Sequence, residues 1–419
     1  MDTGRKGLMK MAKEYRDVIV GLDIGTAKVM AVVAEVQEGG QLRLAGFGAA
    51  PSNGLKRGVV VNIEATVQSI EQALREAEMM ADCKIQRVYT GITGSHVRGF
   101  NSSGMVAIKD KEVSQADISR VLETAKAVHI PSDQRLLLVA SQEFVIDGQE
   151  VKEPIGMSGL RLEAKVHIVT GAQSAAENII KCVRRCGLEV DQLALNPLAS
   201  SLSVLTDDER ELGVVLVDIG AGTTDVSIFS GGSIRHTAVI PIAGDLITSD
   251  IAMALRTPTK DAEDIKVENG CAKAMLADPD SQVEVPGLGD RGPRLINKQA
   301  LAGVIEPRVE EIFSIVQQVI RESGYEELLS SGVVLTGGSS VMPGMVELGE
   351  DIFLKPVRRG VPNYDGPLAD MIAQPRAATV MGLLEDARIE RTRGYKAATK
   401  SGPVKNLLAR IRDFIAGNF

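Results

Sequence analysis

Val217-Asp218-Ile219-Gly220-Ala221-Gly222-Thr223-Thr224-Asp225 decides how this chain folds, because Val20-Gly21-Leu22-Asp23-Ile24-Gly25-Thr26 states the same pattern near its start. Each copy reads as an apolar strand ending in a carboxylate, then a tight glycine turn with hydroxyls. A second strand follows at once, Val29 to Val33 in one copy and Val226 to Phe229 in the other. Glycine admits the positive φ of such turns and lets backbone N–H groups approach a ligand without a Cβ in the way. Successive N–H groups in a turn make an anion-binding nest. Gly25, Gly220, Ala221 and Gly222 therefore present backbone donors to phosphate, and Thr26, Thr223 and Thr224 add short hydroxyls. Asp23 and Asp218 repel phosphate but suit a hydrated Mg2+, which keeps most of its waters and takes few protein ligands. One such turn is as readily an ordinary hairpin as a ligand site. Two, in separate halves of the chain, point to a clamp that holds polyphosphate and metal from both sides.

With 419 residues the chain exceeds the size at which a single core stops growing, so at least two domains are expected. A hydrophobic content of 44% with 24% charged residues is that of a soluble globular protein. The net charge of −8 offers no electrostatic footprint for nucleic acid. Cys83, Cys182, Cys186 and Cys271 lack paired metal spacing and suit a reducing cytoplasm. Cys182 and Cys186 lie one helical turn apart without a histidine cluster, which reads as burial. The N-terminus is basic but has no apolar run long enough for a signal peptide, and no stretch approaches a membrane span.

Outward from the first hairpin, strands at Val18 to Leu22, Val29 to Val36 and Leu42 to Ala49 precede a helix after Asn62, with Ile63, Val67, Ile70, Leu74 and Ala77 on one face. This β-β-β-α order is half of a layered α/β domain. Between Gly94 and Thr170 the pattern changes: Ser114 opens a capped helix, Leu136 to Val139 is a buried strand, and Arg161 to Ile168 alternates as a strand with one wet face. His167 falls on the polar side of that alternation and is expected at the surface. A helix from Ser174 ends at Gly187, and Asn196-Pro197-Leu198-Ala199-Ser200 starts another. The second hairpin then opens a second β-β-β-α succession, so the repeat extends beyond the glycine turns. Residues 257–324 read as a second insertion closed by a long helix, and Val334-Leu335-Thr336-Gly337-Gly338 leads from a strand to a helix N-terminus able to take a ligand. Residues 385–402 are charged and turn-prone. Beyond them Val404, Leu407, Leu408, Ile411, Phe414 and Ile415 share one helical face flanked by Lys405, Arg410 and Arg412, the pattern of a helix lying in a membrane interface.

The two hairpins, the Asn196-Pro197-Leu198-Ala199-Ser200 helix start, the Val334-to-Gly338 turn and the closing Ala378-Thr379-Val380-Met381-Gly382-Leu383 helix resemble, in order, the signature segments of the actin-like ATPase superfamily. Within it the chain resembles the FtsA family of bacterial cell-division actin homologues over nearly its whole length, including Gly244 to Ala252, Asp261 to Lys266, Ile305-Glu306-Pro307-Arg308 and the amphipathic tail. The resemblance implies an α/β actin-like fold of two related RNase H-like domains with inserted subdomains and the nucleotide in the cleft between them. It implies ATP with Mg2+, Glu263 and Lys266 beside ribose and adenine, and Gly337, Gly338, Ser339 and Met342 over the base. It divides the chain into residues 1–93 with 171–212 as the first core, 94–170 as an insertion, 213–256 with 325–386 as the second core, 257–324 as a second insertion, 387–402 as a linker and 403–419 as a membrane helix. Self-association and contacts to later division proteins are expected through the early insertion, and docking of the FtsZ C-terminal peptide on the later one. Arg308 is the chosen contact, a cation on the long helix facing an acidic peptide. The implied place of work is the cytoplasmic face of the inner membrane at the division site.

Two departures qualify the transfer. Many actin-like ATPases carry Gln or Glu where Asn196 stands, orienting the attacking water; the shorter Asn can hydrogen-bond a water but is no general base, so slow turnover is expected. Lys28 lies two positions earlier than the phosphate-contacting lysine of many such hairpins. A metabolic kinase shares the core but would need a sugar pocket with a carboxylate base, for which the sequence has no candidate. The related pilus-assembly homologue borrows its membrane attachment, unlike a chain with an amphipathic C-terminus.

Overall fold

The computed structural model describes residues 18–37, 39–289 and 292–392. Strands Val18–Ile24, Lys28–Val36 and Leu42–Pro51 form an antiparallel meander, and Arg87–Ile92 and Glu189–Leu195 extend it in parallel beside Val18–Ile24. The second sheet repeats this order strand for strand: Ser233–Ile240, Thr224–Ser230, Val214–Ile219, Val333–Thr336, Val357–Arg359. Central parallel strands are covered on both faces and read as continuous apolar runs, as Val214–Ile219 does. Helix Ile63–Ala81 starts where the side chain of Asn62 accepts a hydrogen bond from the Ala65 N–H at 3.1 Å. These paired sheets are the two halves anticipated from the doubled hairpin.

Between them the chain inserts a four-stranded sheet, ordered Arg98–Ala107, Arg161–Ala172, Gln134–Ile146, Gln149–Val151, with helix Gln115–Lys126 on one face. Ser114 and Asp117 form the capping box that starts this helix. Ile118, Val121 and Leu122 meet Leu162, Val166 and Ile168 beneath it. The opposite face is wet at Arg161 but dries out along the strand, and here the expected surface position of His167 is corrected. His167 is fully buried, with Nδ1 2.7 Å from Asn101 Oδ1 and Nε2 2.9 Å from Thr237 Oγ1. The cause is strand Ser233–Ile240 of the second half, which packs across that end of the inserted sheet. The Gln142 amide donates to the carbonyls of Ile234 at 3.0 Å and Arg235 at 3.2 Å, and Arg235 pairs with Glu143 at 2.5 Å. Alternation reports which face a residue occupies, not what later covers that face.

Packing also crosses two of the expected domain limits. Residues 257–324 share one core with the second sheet: Ile265, Leu301, Ile305 and Phe313 pack with Val217, Ile228 and Val333, and the Phe313 and Phe353 rings stand 5.1 Å apart. The closing helix Ala378–Thr392, assigned above to the second core as far as 386, returns to the first. Val380, Leu383, Leu384 and Ala387 pack on Ile19, Met30 and Val32. A Cβ on Gly382 would lie 1.7 Å from the Ala199 carbonyl oxygen, so only glycine permits this crossing of two helices. The helix occupies 387–392, where a linker was expected; the remainder of the linker and the tail residues Leu407, Leu408, Ile411, Phe414 and Ile415 lie outside the described residues. Among the described residues no helix is long and apolar enough to cross a membrane.

Burial pushes the His167 imidazole down to about 3, with His236 adding to the effect. A depressed histidine contributes stability that is complete above its ordinary value of about 6.5 and is lost as pH falls from there toward the folded value. His167→Gln should therefore flatten the pH dependence of the unfolding midpoint across that window relative to the parent chain. Parallel pH curves for the two proteins would place the imidazole in water instead.

Candidate functional site

The two hairpin turns are built alike. The Gly25 N–H donates to the Lys28 carbonyl at 2.9 Å, and the Gly220 N–H donates to the Thr223 carbonyl at 2.9 Å. Ile24 pairs with Val29 and Ile219 with Thr224, so each loop has four residues. In this register Asp23 sits opposite Met30, whereas Asp218 sits opposite Asp225. The turns touch: a Cβ on Gly222 would fall 2.6 Å from Thr26 Oγ1, which itself accepts from the Gly58 N–H at 3.1 Å. Thr224 is buried and donates to the Ile242 carbonyl at 2.8 Å, a structural bond that closes its strand. Ala221 accepts from Asp245 N–H at 2.8 Å, which docks the start of helix Gly244–Leu255 on the second turn.

Beneath the turns, Asp23, Asp218, Asp225 and Lys28 come together. Burial raises Asp23 to about 6 against the opposing pull of Lys28, and raises Asp225 to about 8 with Asp218 adding to the rise. It raises Asp218 as well, against hydrogen bonds from Ser200 and Thr379. The same desolvation lowers the Lys28 ammonium to about 8. Lys28 Nζ stands 3.9 Å from Asp23 Oδ2, and the Arg376 guanidinium beside it adds to the lowering of its ammonium. Burial makes each carboxylate charge costly, and a further cation here would favour the ionised forms. Among the described residues no three acidic or metal-binding side chains converge as a direct metal cage. The donor set therefore fits a cation that keeps much of its water.

Each carboxylate of the second hairpin is held by a hydroxyl from the other half. Ser200 donates to Asp218 Oδ2 at 2.7 Å, and Thr93 donates to Asp225 Oδ1 at 2.6 Å. Asp225, Thr93 and Ser200 were not singled out from the sequence, although Asp225 ends the second motif and Ser200 ends the Asn196-to-Ser200 segment. Asn196 starts helix Asn196–Val204, is 9% exposed, and its Oδ1 has no hydrogen-bond partner.

Glu263, Lys266 and the residues that follow Thr336 also assemble. Lys266, nearly buried, donates to Glu263 at 2.6 Å, Thr248 Oγ1 at 2.8 Å and the Gly244 carbonyl at 3.2 Å. Thr248 also donates to Glu263 Oε2. Gly337 adopts φ +86°, and a Cβ there would come within 2.4 Å of Asp218 Oδ1. At Gly338 the nearest atom to an added Cβ is 3.9 Å away, on Arg376, so this position opens on free space. Ser339 donates to the Gly220 carbonyl at 2.8 Å, tying the glycine turn to the second hairpin, and Met342 lies at the edge of the same core. The segment after Gly338 is a short 3-10 turn; the α-helix expected there begins only at Met345. Arg308 lies apart from this cleft. Its guanidinium holds Asp250 through two bonds, of 2.5 and 3.0 Å, and also pairs with Glu311, so its charge is engaged within the chain.

Comparison with known proteins follows the same outline. A family profile for the cell division protein FtsA matches residues 215–382, and one for the SHS2 domain inserted in FtsA matches residues 94–170. The cell division protein FtsA of Pseudomonas aeruginosa is 56% identical over 96% of this chain and 98% of its own length. Those of Neisseria meningitidis and Escherichia coli are 48% and 43% identical, over 98% and 96% of this chain and 100% and 99% of theirs. Among solved structures, the PilM–PilN type IV pilus biogenesis complex superposes with a TM-score of 0.63 at 18% identity, covering 89% of this chain and 99% of that one. MreB 5 of Spiroplasma citri bound to AMPPNP superposes with a TM-score of 0.54 at 16% identity, covering 90% and 96%. These distant likenesses show the actin-like fold, and the close relatives show that the chain belongs to the FtsA family of cell division proteins.

Proposed function

We propose that this chain is an ATP-binding adaptor of cell division: it self-associates and ties FtsZ filaments to the inner face of the cytoplasmic membrane through residues 403–419. The observation that carries the nucleotide reading is the cluster of three buried carboxylates and one lysine beneath two touching glycine turns. Backbone groups of Gly25, Gly220, Ala221 and Gly222, with Thr26 and Thr223, would receive the phosphates. Mg2+ would lie between Asp23 and Asp218, held mainly through water, and would offset the charge of both carboxylates and phosphates. Glu263 uses Oε2 for both of its hydrogen bonds, which leaves Oε1 to accept from a ribose hydroxyl. Gly337, Gly338, Ser339 and Met342 would cover the base from the opposite side.

Contact between the turns supports a conformational role. A polyphosphate seated between Thr26 and Gly222 must part them, so its binding free energy acts on the angle between the halves. Asn196 supports slow turnover, since a neutral amide can orient a water but cannot take its proton. Tethering rests on the amphipathic pattern of Leu407, Leu408, Ile411, Phe414 and Ile415. One such short helix binds a bilayer marginally, and several on one polymer bind it well. The FtsZ peptide would dock on residues 257–324, where Arg308 must first be drawn from Asp250 and Glu311.

Asp218→Ala should abolish ATP binding measured by calorimetry. So should Gly338→Asp, which the open space tolerates without loss of folding. ATP retained by both variants would sink the nucleotide assignment. In liposome co-sedimentation the full chain should pellet with anionic vesicles, and a version ending at Gly402 should stay in the supernatant; equal binding would remove the tether. Asp250→Asn should loosen the hold on Arg308 and tighten an acidic FtsZ C-terminal peptide by up to about fivefold, the worth of a partly exposed ion pair. Unchanged or weaker binding would take Arg308 out of that contact.

A further inference from the structure

A cleft of about 680 Å3, lined by none of the residues of the two hairpin turns, opens where the inserted sheet, helix Asn196–Val204 and the closing helix Ala378–Thr392 meet. Half-buried aliphatic side chains form its floor: Leu138, Leu198, Leu202 and Ile389. Its rim carries four carboxylates and two guanidinium groups: Asp207 pairs with Arg210 at 3.1 Å, Glu385 pairs with Arg388 at 2.7 Å, and Asp386 and Glu390 complete a net acidic edge. An apolar floor with an acidic rim fits an amphipathic segment with basic flanks.

Such a segment belongs to this chain. Val404, Leu407, Leu408, Ile411, Phe414 and Ile415 share one helical face beside Lys405, Arg410 and Arg412. The closing helix forms a wall of the cleft with residues 385–390, and its described part ends at Thr392, two residues further on. From there to Val404 the chain has a relaxed span of roughly 20 Å and a maximum of roughly 40 Å. As a helix, residues 404–415 would be about 18 Å long. Both lengths allow the tail to turn back onto the wall it has just left.

We propose that residues 404–415 dock in this cleft when no membrane is present, burying on Leu138, Leu198, Leu202 and Ile389 the same stripe that would otherwise enter a bilayer. The inference rests on the reading of the tail as a membrane segment and adds a competing intramolecular site for it. Docking keeps an exposed apolar helix out of water and away from other chains. It also reduces the fraction of tails free to bind lipid, and apparent membrane affinity falls by that fraction.

Hydrogen–deuterium exchange of the full chain and of a chain ending at Gly402, both without lipid, tests the docking. Truncation should raise exchange in residues 205–212 and 385–392, and anionic vesicles should produce the same rise in the full chain only. Equal exchange in the two chains without lipid would overturn the proposal. Protection seen only at high protein concentration would assign the cleft to the tail of a second copy and would also overturn it. As an independent readout, Ile389→Glu should raise the vesicle affinity of the full chain, by about tenfold if nine tails in ten are docked; unchanged affinity counts against docking. Failure of the tether is distinguishable: vesicles would then bind neither chain, while truncation would still expose the cleft.

Discussion

The molecule depends on carboxylates withdrawn from water at the junction of its halves. Asp218 and Asp225 belong to the second half, yet each is held by a hydroxyl of the first, from Ser200 and Thr93. Neutral donors satisfy hydrogen-bonding capacity without neutralising charge, so the cluster keeps its appetite for a cation. Lys28 supplies one, across 3.9 Å from Asp23. The junction is thus fastened by bonds whose strength depends on the protonation and charge of the same groups that the proposed ligand would address. This couples whatever occupies the turns to the relative placement of the halves.

The coupling has a physical continuation. Strand Thr224–Ser230 leaves the second turn and pairs with Ser233–Ile240, and that strand carries the inserted sheet through Gln142, Glu143 and His167. A Cβ on Gly99 of the inserted sheet would lie 2.3 Å from Thr237 Oγ1, so the two surfaces meet at backbone distance. Close-packed surfaces move together or separate; they do not deform continuously. A displacement of the second turn therefore has a short, stiff route to the inserted subdomain. The first hairpin lacks this route, because its outer strand Leu42–Pro51 is covered by helix Ile63–Ala81 instead.

Much of the architecture was legible because local rules and the global fold agree. Asn62 caps a helix where its side chain can, Ser114 and Asp117 make a reciprocal box, and the doubled hairpin yields doubled sheets of one strand order. What escaped was relational. The apolar face of Ala378–Thr392 is evident from its sequence, but nothing local says that it packs on Ile19 and Met30 of the first half. His167 lies on the polar side of its strand, and only the arrival of Thr237 from the other half makes that side an interior. Asp225 ends the second motif, but its partner, the hydroxyl of Thr93, is far away in sequence. Arg308 was chosen for its charge, and its charge is engaged by Asp250.

Asn196 joins these strands of argument. Its helix carries Ser200, which holds Asp218, and Ala199, against which Gly382 of the closing helix packs. That helix is consequently fixed from two directions, with little freedom to accommodate a longer side chain at its start. A Cβ on Gly91 would fall 2.0 Å from Asn196 Oδ1, and the oxygen has no partner of its own. A buried amide oxygen left unpaired costs about 1–3 kcal/mol, a cost that a positioned water would relieve. On the proposed reading such a water would be held near the phosphates by a group unable to deprotonate it. On the same reading, the packing that fixes Asn196 would favour slow turnover of a bound nucleotide over rapid hydrolysis.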